Sequence, residues 1–549
     1  MRKSQCWLLA AVSCVVLVAA PVQAGRFDDF TRRFQNPPDA AQIDGSSFLG
    51  GKGTEWLVAG GFQPNGQVVV IGVALGPVFD LDGYKAPIKV LGTDPGAPAA
   101  PTEPVDKNKD GSPKPGMFSW QHANSAPFVA ILSEDLKTYQ QVTRLPWGIG
   151  AVTSGGVDSK GYIYLTGPAG ATDTGALGRV EVINAGENGS KKPKCAAIWL
   201  AKLDPTATQV VWAKKVVGSS TLPGLRVTDA DDVVLTGPDI RTFTTDGKVK
   251  GVVAVPGGLE GNVSVNPKDG TYARGGEHHW GTGREPWRCP TLNIYKPDGK
   301  QLYQLYDWGG PMVGTDRLRD VSDTAIRGVV YDPEGNLIIT AWSDGGNSVA
   351  RREPMDINRM HGKFEKGLGF SNWGANVLSA AYIIKIDTKT YKVMGGTLWS
   401  AYLGGERDKP NSIWIDTLGF ATDGSAVIAG RSASGLIRTG THLTQLGYPD
   451  DTPPAGEYVT VLNPDLTSIR FSVNFLGGGK VTLGDGDHWG FASGKVKGRH
   501  KLLALTGAKS EGEAYAVKVP MPSLKGPQSK FGGGLLDGYF VQLDLGAAK

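Results

Sequence analysis

The sequence predicts an all-β protein built from one repeated unit, and three observations support that prediction. Residues 149–218 contain four short β-rich runs bounded by Gly, Asp and Pro, which is typical of antiparallel strands joined by tight turns. One of these runs, Ile163–Gly167, has similar counterparts along the whole chain. The 549 residues include 78 Gly and 35 Pro at an apolar content of 40%, which suits a folded, turn-rich protein with a large core.

The second strand of the unit repeats most clearly. It occurs at Val68–Gly72, Ile163–Gly167, Val233–Gly237, Thr271–Gly275, Leu337–Ala341, Ala426–Gly430 and Leu503–Gly507. Third strands match in the same way, as in Ile198–Leu203, Tyr382–Asp387 and Tyr539–Asp544, and the unit spanning 238–258 is the least regular. Seven four-stranded antiparallel units predict a seven-bladed β-propeller, because radial repetition leaves only short, protected strand edges.

Three motifs give the repeats a family likeness. They are Val157–Gly167 (Val-Asp-Ser-Lys-Gly-Tyr-Ile-Tyr-Leu-Thr-Gly), Ser400–Gly405 (Ser-Ala-Tyr-Leu-Gly-Gly) and Asp537–Leu543 (Asp-Gly-Tyr-Phe-Val-Gln-Leu). The pattern resembles the bacterial secreted seven-bladed β-propeller repeat family, the SBBP-like repeats. The resemblance covers nearly all of the mature chain and implies the propeller fold, but it says little about function.

The two ends of the chain are expected to complete the last blade together. The chain ends on a third strand, Gly538–Leu545, while residues 43–51 near the start end in the Phe-Leu-Gly-Gly of a fourth strand. Residues near 43–49 should therefore pair with residues near 538–545, which removes the open edge of the ring.

Residues 1–24 are expected to be a signal peptide. Arg2 and Lys3 precede the apolar run Trp7–Ala20, and Val22–Ala24 has a small-residue cleavage pattern. The mature chain, residues 25–549, is then a single propeller domain exported to the periplasm, the cell surface or the medium. Its apolar runs are too short for a transmembrane segment.

The mature chain has a near-neutral charge balance. It has 55 basic and 53 acidic residues without runs of Lys or Arg, which argues against nucleic acid or an anionic membrane as partner. Cys195 and Cys289 are compatible with one disulfide, and whether they pair stays open.

The insertions are unevenly distributed between the strands. Residues 73–126, 168–196, 277–290, 342–380, 431–456 and 508–537 all follow a second strand. Such connections emerge on one face of a propeller, so the insertions are expected to surround the channel mouth there, where binding sites on rigid scaffolds tend to lie.

The insertion 277–290 is the first candidate site. Its candidate ligand-binding residues are His278, His279, Trp280, Arg284, Glu285, Trp287 and Arg288. Trp rings stack on sugars, and Arg binds carboxylate or sulfate with a two-pronged hydrogen bond. His with Arg could also abstract a proton beside a uronate carboxylate, as in polysaccharide lyases. The alternative is a loop whose Trp residues pack on a neighbouring blade and whose Arg residues are solvated.

Two further groups are expected near the same mouth. Asp344, Asn347, Arg351 and Arg352 follow the second strand of blade five and should approach His278 and His279, or else cap their own loop by Arg–Asp pairs. His488 and Trp489 open the first strand of blade seven. A single His in such a place is more often structural than catalytic.

Calcium is a possible cofactor of the Pro-rich insertion at about 85–120 from blade one. Asp106, Asn108 and Asp110 have the alternate spacing of a calcium loop, and Gly111 permits its turn. Met117 stands where an EF-hand needs Glu, so an EF-hand is excluded, and a solvated turn is the alternative.

The sequence favours an exported binding or scaffold protein whose insertion-bearing face holds a carbohydrate or protein ligand. A polysaccharide lyase centred on His278, His279 and Arg284 is the second interpretation, and a structural component of the cell envelope is the third. Motifs for c-type haem, a nucleophile elbow, a zinc helix or a P-loop do not occur.

Overall fold

Seven antiparallel sheets form a β-propeller in the computed structural model of the chain. The structure describes residues 34–35, 37, 39–75, 78–97, 125–170, 172–185, 195–220, 222–254, 262–281, 286–305, 324–343, 380–399, 401–402, 410–433, 435–448, 456–475, 489–508, 511–514, 517–520, 522–534 and 536–548. Each blade has four strands, numbered from the first, innermost strand to the fourth, outermost one.

The strands of the first four blades follow the chain in order. Blade one contains Glu55–Phe62, Val68–Leu75, Ser125–Leu132 and Tyr139–Arg144. Blade two contains Ser154–Val157, Ile163–Pro168, Cys195–Leu203 and Val210–Ser220. Blade three contains Gly224–Val227, Val233–Thr236, Ile240–Phe243 and Val249–Val253. Blade four contains Asn262–Val265, Tyr272–Gly281, Pro286–Tyr295 and Gln301–Leu305.

The remaining blades end with the one that closes the ring. Blade five contains Thr324–Tyr331, Leu337–Ser343, Ala380–Asp387 and Lys392–Trp399. Blade six contains Ile413–Phe420, Ala426–Ser432, Gly456–Leu462 and Ile469–Phe475. Blade seven contains Gly490–Val496, Arg499–Ala508, Asp537–Ala547 and the N-terminal strand Gln42–Leu49.

The other elements are short. They are the strands Phe34–Gln35, Lys89–Val90, Val180–Asn184, Ala401–Tyr402, Pro410–Asn411, Arg438–Thr439, Glu511–Ala514 and Val517–Pro520, the 3₁₀ helix Thr174–Leu177 and the α-helix Gly440–Gln445. None of the helices in the described ranges has the length and apolar character needed to cross a membrane.

The predicted ring closure is confirmed. The N-terminal strand pairs antiparallel with the third strand of blade seven, from Ile43 opposite Leu543 to Leu49 opposite Gly538. Phe48 is buried between the rings of Tyr539 and Phe531, at centroid distances of 5.3 and 6.3 Å. Backbone pairing and aromatic packing therefore both hold the two ends of the chain in one sheet.

The hydrophobic core consists of layers between neighbouring blades. Val69 and Ile71 of blade one pack with Ile163 and Leu165 of blade two, all fully buried. Glycines on the inner strands let the next blade approach closely: a Cβ atom on Gly419 would lie 2.8 Å from the ring of Phe491 in blade seven. The glycines of the repeat thus serve packing around the ring as well as turns.

The connections after second strands do not all lead to the channel mouth, which corrects the expectation from sequence. Described parts of four insertions run along the outermost strand of their own blade. Lys89–Val90 and Val180–Asn184 pair parallel with the outer strands of blades one and two. Leu524 exchanges two backbone hydrogen bonds with Ser46 of blade seven, and Thr439 bonds Ser472 of blade six. The reason is that an outer strand has unpaired N–H and C=O groups, which these segments satisfy.

One further connection differs from the prediction, and the connection in blade three agrees with it. Residues 277–290 are not a loop, because Tyr272–Gly281 and Pro286–Tyr295 continue as one long hairpin joined by residues 282–285. Blade three has only Gly237, Pro238 and Asp239 between its second and third strands, so its irregular repeat corresponds to a short blade without an insertion.

Candidate functional site

The hairpin of blade four places several candidate residues in register. His278 lies opposite Cys289, His279 opposite Arg288, and Trp280 opposite Trp287. The register thus gives one His and one Arg paired positions on adjacent strands. Arg284 and Glu285 lie outside the described residues.

Most other candidate residues also lie outside the described residues: Asp344, Asn347, Arg351, Arg352 and His488, and the calcium candidates Asp106, Asn108 and Asp110. Their roles stay predictions. Trp489 is described, and it is only 4% exposed, with its ring 5.4 Å from that of Phe475. Trp489 is therefore part of the core between blades six and seven.

Arg327 contacts residues at the start of both insertions that were expected to approach each other, those of blades four and five. Its guanidinium lies 3.4 Å from the carboxylate of Glu277, the residue before His278. It also lies over the ring of Trp342, 5.8 Å from the centroid, two residues before Asp344. The Arg327 side chain is 45% exposed, so a ligand can reach it. The blade-four hairpin and the blade-five insertion thus start from one Glu–Arg–Trp group.

Blade six carries a second group of the same composition. The Arg431 guanidinium lies 3.3 Å from the carboxylate of Asp416 and 5.8 Å from the centroid of the Trp414 ring. Its side chain is 42% exposed. Two neighbouring blades therefore each present an accessible Arg beside a Trp and a carboxylate, a combination suited to hydroxylated and anionic ligands.

Bulges in the inner strands explain the position of two of these residues. In blade five the pairing passes from Ile326 directly to Gly328, and in blade six it passes from Ile415 directly to Thr417. Arg327 and Asp416 are the residues left out. A bulge redirects a side chain without ending the strand, and bulges are frequent beside functional sites.

Glu457 lies behind the blade-six group and is buried. Burial is the largest effect on its carboxyl group and, with the negative charge of Asp416, raises its pKa to about 8, although Arg431 and the indole N–H of Trp489 act in the opposite direction. Glu457 is thus mainly protonated at neutral pH. A neutral carboxyl group can donate a hydrogen bond or a proton, which an ionised one cannot.

Sequence reasoning missed Arg327, Asp416, Arg431 and Glu457, although a signal was present. The aligned inner strands read Trp56-Leu-Val58, Ala325-Ile-Arg327 and Trp414-Ile-Asp416, and the same bulge occurs at Val58 in blade one. A charged residue at a position that is apolar in another blade is a departure from the repeat. Comparing first strands rather than insertions would have found two of the four residues.

The comparisons with known proteins support no transfer of function. No protein-family model and no curated protein matches the chain. Among solved structures, a protein of unknown function from Dyadobacter fermentans is 11% identical, with a TM-score of 0.36 over 92% of this chain and 100% of that one. Sqt1 from Chaetomium thermophilum is 9% identical, with a TM-score of 0.34 over 93% and 100%.

A third solved structure is a polysaccharide lyase, an ulvan lyase bound to an oligosaccharide of GlcA and Rha3S. It is 10% identical to this chain, with a TM-score of 0.37 over 88% of this chain and 96% of that one. At such identities and TM-scores no ligand or activity is carried over from any of the three.

Proposed function

We propose that this protein is an exported β-propeller that binds a carbohydrate on its insertion face, the face where the connections between second and third strands emerge. The observation that supports this most is the pair of Arg–Trp–carboxylate groups around Arg327 and Arg431 on blades five and six. The His278–Trp280 hairpin extends from the first of them.

The chemistry of these groups favours an acidic polysaccharide. A Trp ring stacks on the apolar face of a sugar, and a carboxylate accepts hydrogen bonds from its hydroxyl groups. Arg binds the carboxylate or sulfate of an acidic sugar through a fork of N–H groups. Because Glu277 and Asp416 already orient the two guanidinium groups, less side-chain entropy is lost when a ligand binds.

The proposal is tested by affinity electrophoresis of residues 25–549 in gels that contain alginate, polygalacturonate, heparin or a neutral glucan. Retardation by at least one acidic polysaccharide, stronger than by the neutral one, is the expected result. Equal mobility in all gels contradicts carbohydrate binding and leaves a protein ligand or a structural envelope role to be tested by lateral association of the purified chain.

A polysaccharide lyase is the second candidate, and Glu457 is the observation that favours it. Elimination beside a uronate needs the carboxylate neutralised while a base removes the adjacent proton. Arg431, next to the protonated Glu457, and Arg284 are the candidates for the first task, and His278 or His279 is the candidate base for the second. Absorbance of unsaturated products, lost in His279→Ala and kept in Lys389→Ala, would establish the lyase; its absence leaves a binding protein.

Three further parts of the proposal rest on sequence motifs. They are membership of the SBBP-like repeat family, export through residues 1–24, and calcium at Asp106, Asn108 and Asp110. N-terminal sequencing of the secreted chain tests export, and a mature terminus other than one near Gly25 would contradict the proposed cleavage. Calcium titration of the Asp106→Ala variant against the wild-type chain tests the metal site.

A further inference from the structure

Four of the boundaries between neighbouring blades share one polar contact on the turn face, the face opposite the insertion face. Lys202 of blade two donates to the carbonyl of Thr245 in blade three at 2.9 Å, and Lys385 of blade five donates to that of Pro464 in blade six at 3.2 Å. Gln63 and Arg470 donate to the corresponding carbonyls of Pro205 and Leu545. Thr245, Pro464 and Pro205 are each the second residue after the third strand of the next blade, and Leu545 has the equivalent place in the repeat, next to Asp544, within the longer strand Asp537–Ala547.

The two lysines also neutralise a buried carboxylate. Lys202 lies 3.7 Å from Asp158, and Lys385 lies 2.8 Å from Asp332; the side chains of both Asp residues are fully buried. An ammonium group thus fills the space between a carboxylate and the carbonyl of the next blade. The buried carboxylate and the carbonyl of the next blade therefore share one cationic partner at each of these two boundaries.

The boundary where the ring closes, between blades seven and one, lacks this ammonium group. Gln542 has the position of Lys202 and Lys385, because each of the three stands two residues before the Asp of its third-strand repeat, which is Asp544, Asp204 or Asp387. The Nε2 of Gln542 bonds Asp44 of its own blade at 2.9 Å, and its Oε1 is buried without a partner. No described side chain donates to the carbonyl of Glu134, the equivalent acceptor in blade one.

A cavity of about 360 Å³ occupies the place of the missing contact. Its walls include Gln542, Glu134, Phe62, Asp44, Lys137 and Lys525. Volumes of this size are common among small-molecule sites. Glu134, whose carbonyl is the equivalent acceptor, lines one side of the cavity, and the half-buried Phe62 lines another.

The charges of the cavity are divided between its walls. Lys501 is held by Asp44 and Asp544 at 2.7 and 2.9 Å. Lys525 is exposed and forms no ion pair with any residue in the described ranges, while Lys137 pairs only with the exposed Asp135 at 3.4 Å. The wall that contains Gln542 and Glu134 therefore lacks a hydrogen-bond donor for the Glu134 carbonyl. The wall that contains Lys525 and Lys137 has a cation available for an anionic group.

We propose that this cavity binds a zwitterionic α-amino acid, whose ammonium group replaces the lysine ammonium found at equivalent boundaries and whose carboxylate faces Lys525 and Lys137. The ammonium group donates to the Glu134 carbonyl, and the side chain of the ligand packs towards Phe62. This site lies on the opposite face from the proposed carbohydrate site and does not depend on it.

The first test is isothermal titration calorimetry of residues 25–549 with each of the twenty amino acids, repeated on the Gln542→Lys variant. We expect a saturable signal with at least one amino acid and a loss of affinity of at least about tenfold in Gln542→Lys, because the new lysine supplies the missing ammonium group. Absence of binding to the wild-type chain, or equal affinity in Gln542→Lys, would overturn the proposal.

A second variant keeps the test decisive if Gln542→Lys fails to fold. Lys525 has a φ of 60°, a conformation that Asn tolerates, so Lys525→Asn removes the charge without straining the backbone. Affinity for the amino acid should fall several-fold, while affinity for its methyl ester, which lacks the carboxylate, should not change. An equal change for both compounds would contradict the assigned orientation.

Discussion

Several buried carboxyl groups have pKa values above the ordinary range of Asp and Glu side chains. Glu55 and Asp537 are fully buried where the N-terminal strand leads into blade one. Burial and the neighbouring Asp537 raise the pKa of Glu55 to about 9, and burial raises that of Asp537 to about 7. With Glu457, three carboxyl groups retain protons at a pH where exposed ones have lost them.

The raised pKa values of these carboxyl groups predict that the free energy of unfolding decreases as the pH rises. Folded Glu55 keeps a proton that the unfolded chain releases above its ordinary pKa, 4.5, so the free energy of unfolding falls as the pH rises from there to about 9. Glu55→Gln should remove up to about 1.4 kcal/mol per pH unit of this slope. Urea unfolding at pH 5 and pH 8 measures it, with Glu134→Gln at a half-exposed site as control; an unchanged slope would contradict the prediction.

The residues of the candidate site show why sequence alone was insufficient. His278, His279 and Trp280 attract notice because they are rare and adjacent, yet the pairing of His279 with Arg288 depends on a hairpin that periodicity did not indicate. Arg327 and Asp416 are ordinary charged residues in sequence. Only the bulges give them their positions, and a bulge depends on how two strands align.

At the scale of elements, the repeat lysines of the third strand hold neighbouring blades together. Lys385→Met leaves the buried Asp332 carboxylate without its cation, and we expect a loss of about 3–5 kcal/mol in the free energy of unfolding. Equilibrium unfolding measures the loss, with Lys389→Met in the following exposed turn as matched control. Adding Asp332→Asn should recover part of the loss, and no recovery would contradict the assigned charge pairing.

Close packing between the inner strands of neighbouring blades leads to a second prediction at the scale of elements. Gly419→Ala places a Cβ atom 2.8 Å from the ring of Phe491, so we expect a destabilisation of about 1–3 kcal/mol. Thermal unfolding of Gly419→Ala, Phe491→Leu and the double variant measures the coupling. The smaller Leu should relieve the clash, so strictly additive effects would argue against direct contact.

The strands themselves were predictable because each is defined locally. Alternating apolar residues and Asp or Gly turns mark Ile163–Gly167 or Leu337–Ala341 without reference to the rest of the chain. The course of the insertions was not predictable in this way. Lys89–Val90 and Val180–Asn184 find their outer strands through backbone hydrogen bonds, which any sequence can form.

For the whole molecule, ring closure by the N-terminal strand is the main constraint. A chain that starts at Gly50 lacks Gln42–Leu49, so the edge of the third strand of blade seven is exposed and the contact between Phe48 and Tyr539 is lost. We expect a lower unfolding temperature and faster amide exchange in residues 538–543 than in a chain that starts at Pro37. Peptide 37–49 added in excess should restore both, and equal unfolding temperatures of the two chains would contradict the role of closure.

The arrangement of the whole molecule puts the two proposed binding sites on opposite faces. The insertion face presents Arg327 and Arg431, and the turn face contains the cavity at the boundary between blades seven and one. Substitutions at one face should leave the other unaffected, since the two sets of residues share no partner. Failure of either proposal therefore leaves the other standing.

The most direct test of the central claim is the affinity of Arg327→Met and Arg431→Met for the acidic polysaccharide that most retards the wild-type chain. Each variant keeps an apolar stem beside its Trp ring but loses the charge. We predict a loss of at least about tenfold in affinity for each, and no change in Lys389→Met. Wild-type affinity in both arginine variants would contradict carbohydrate binding at this mouth.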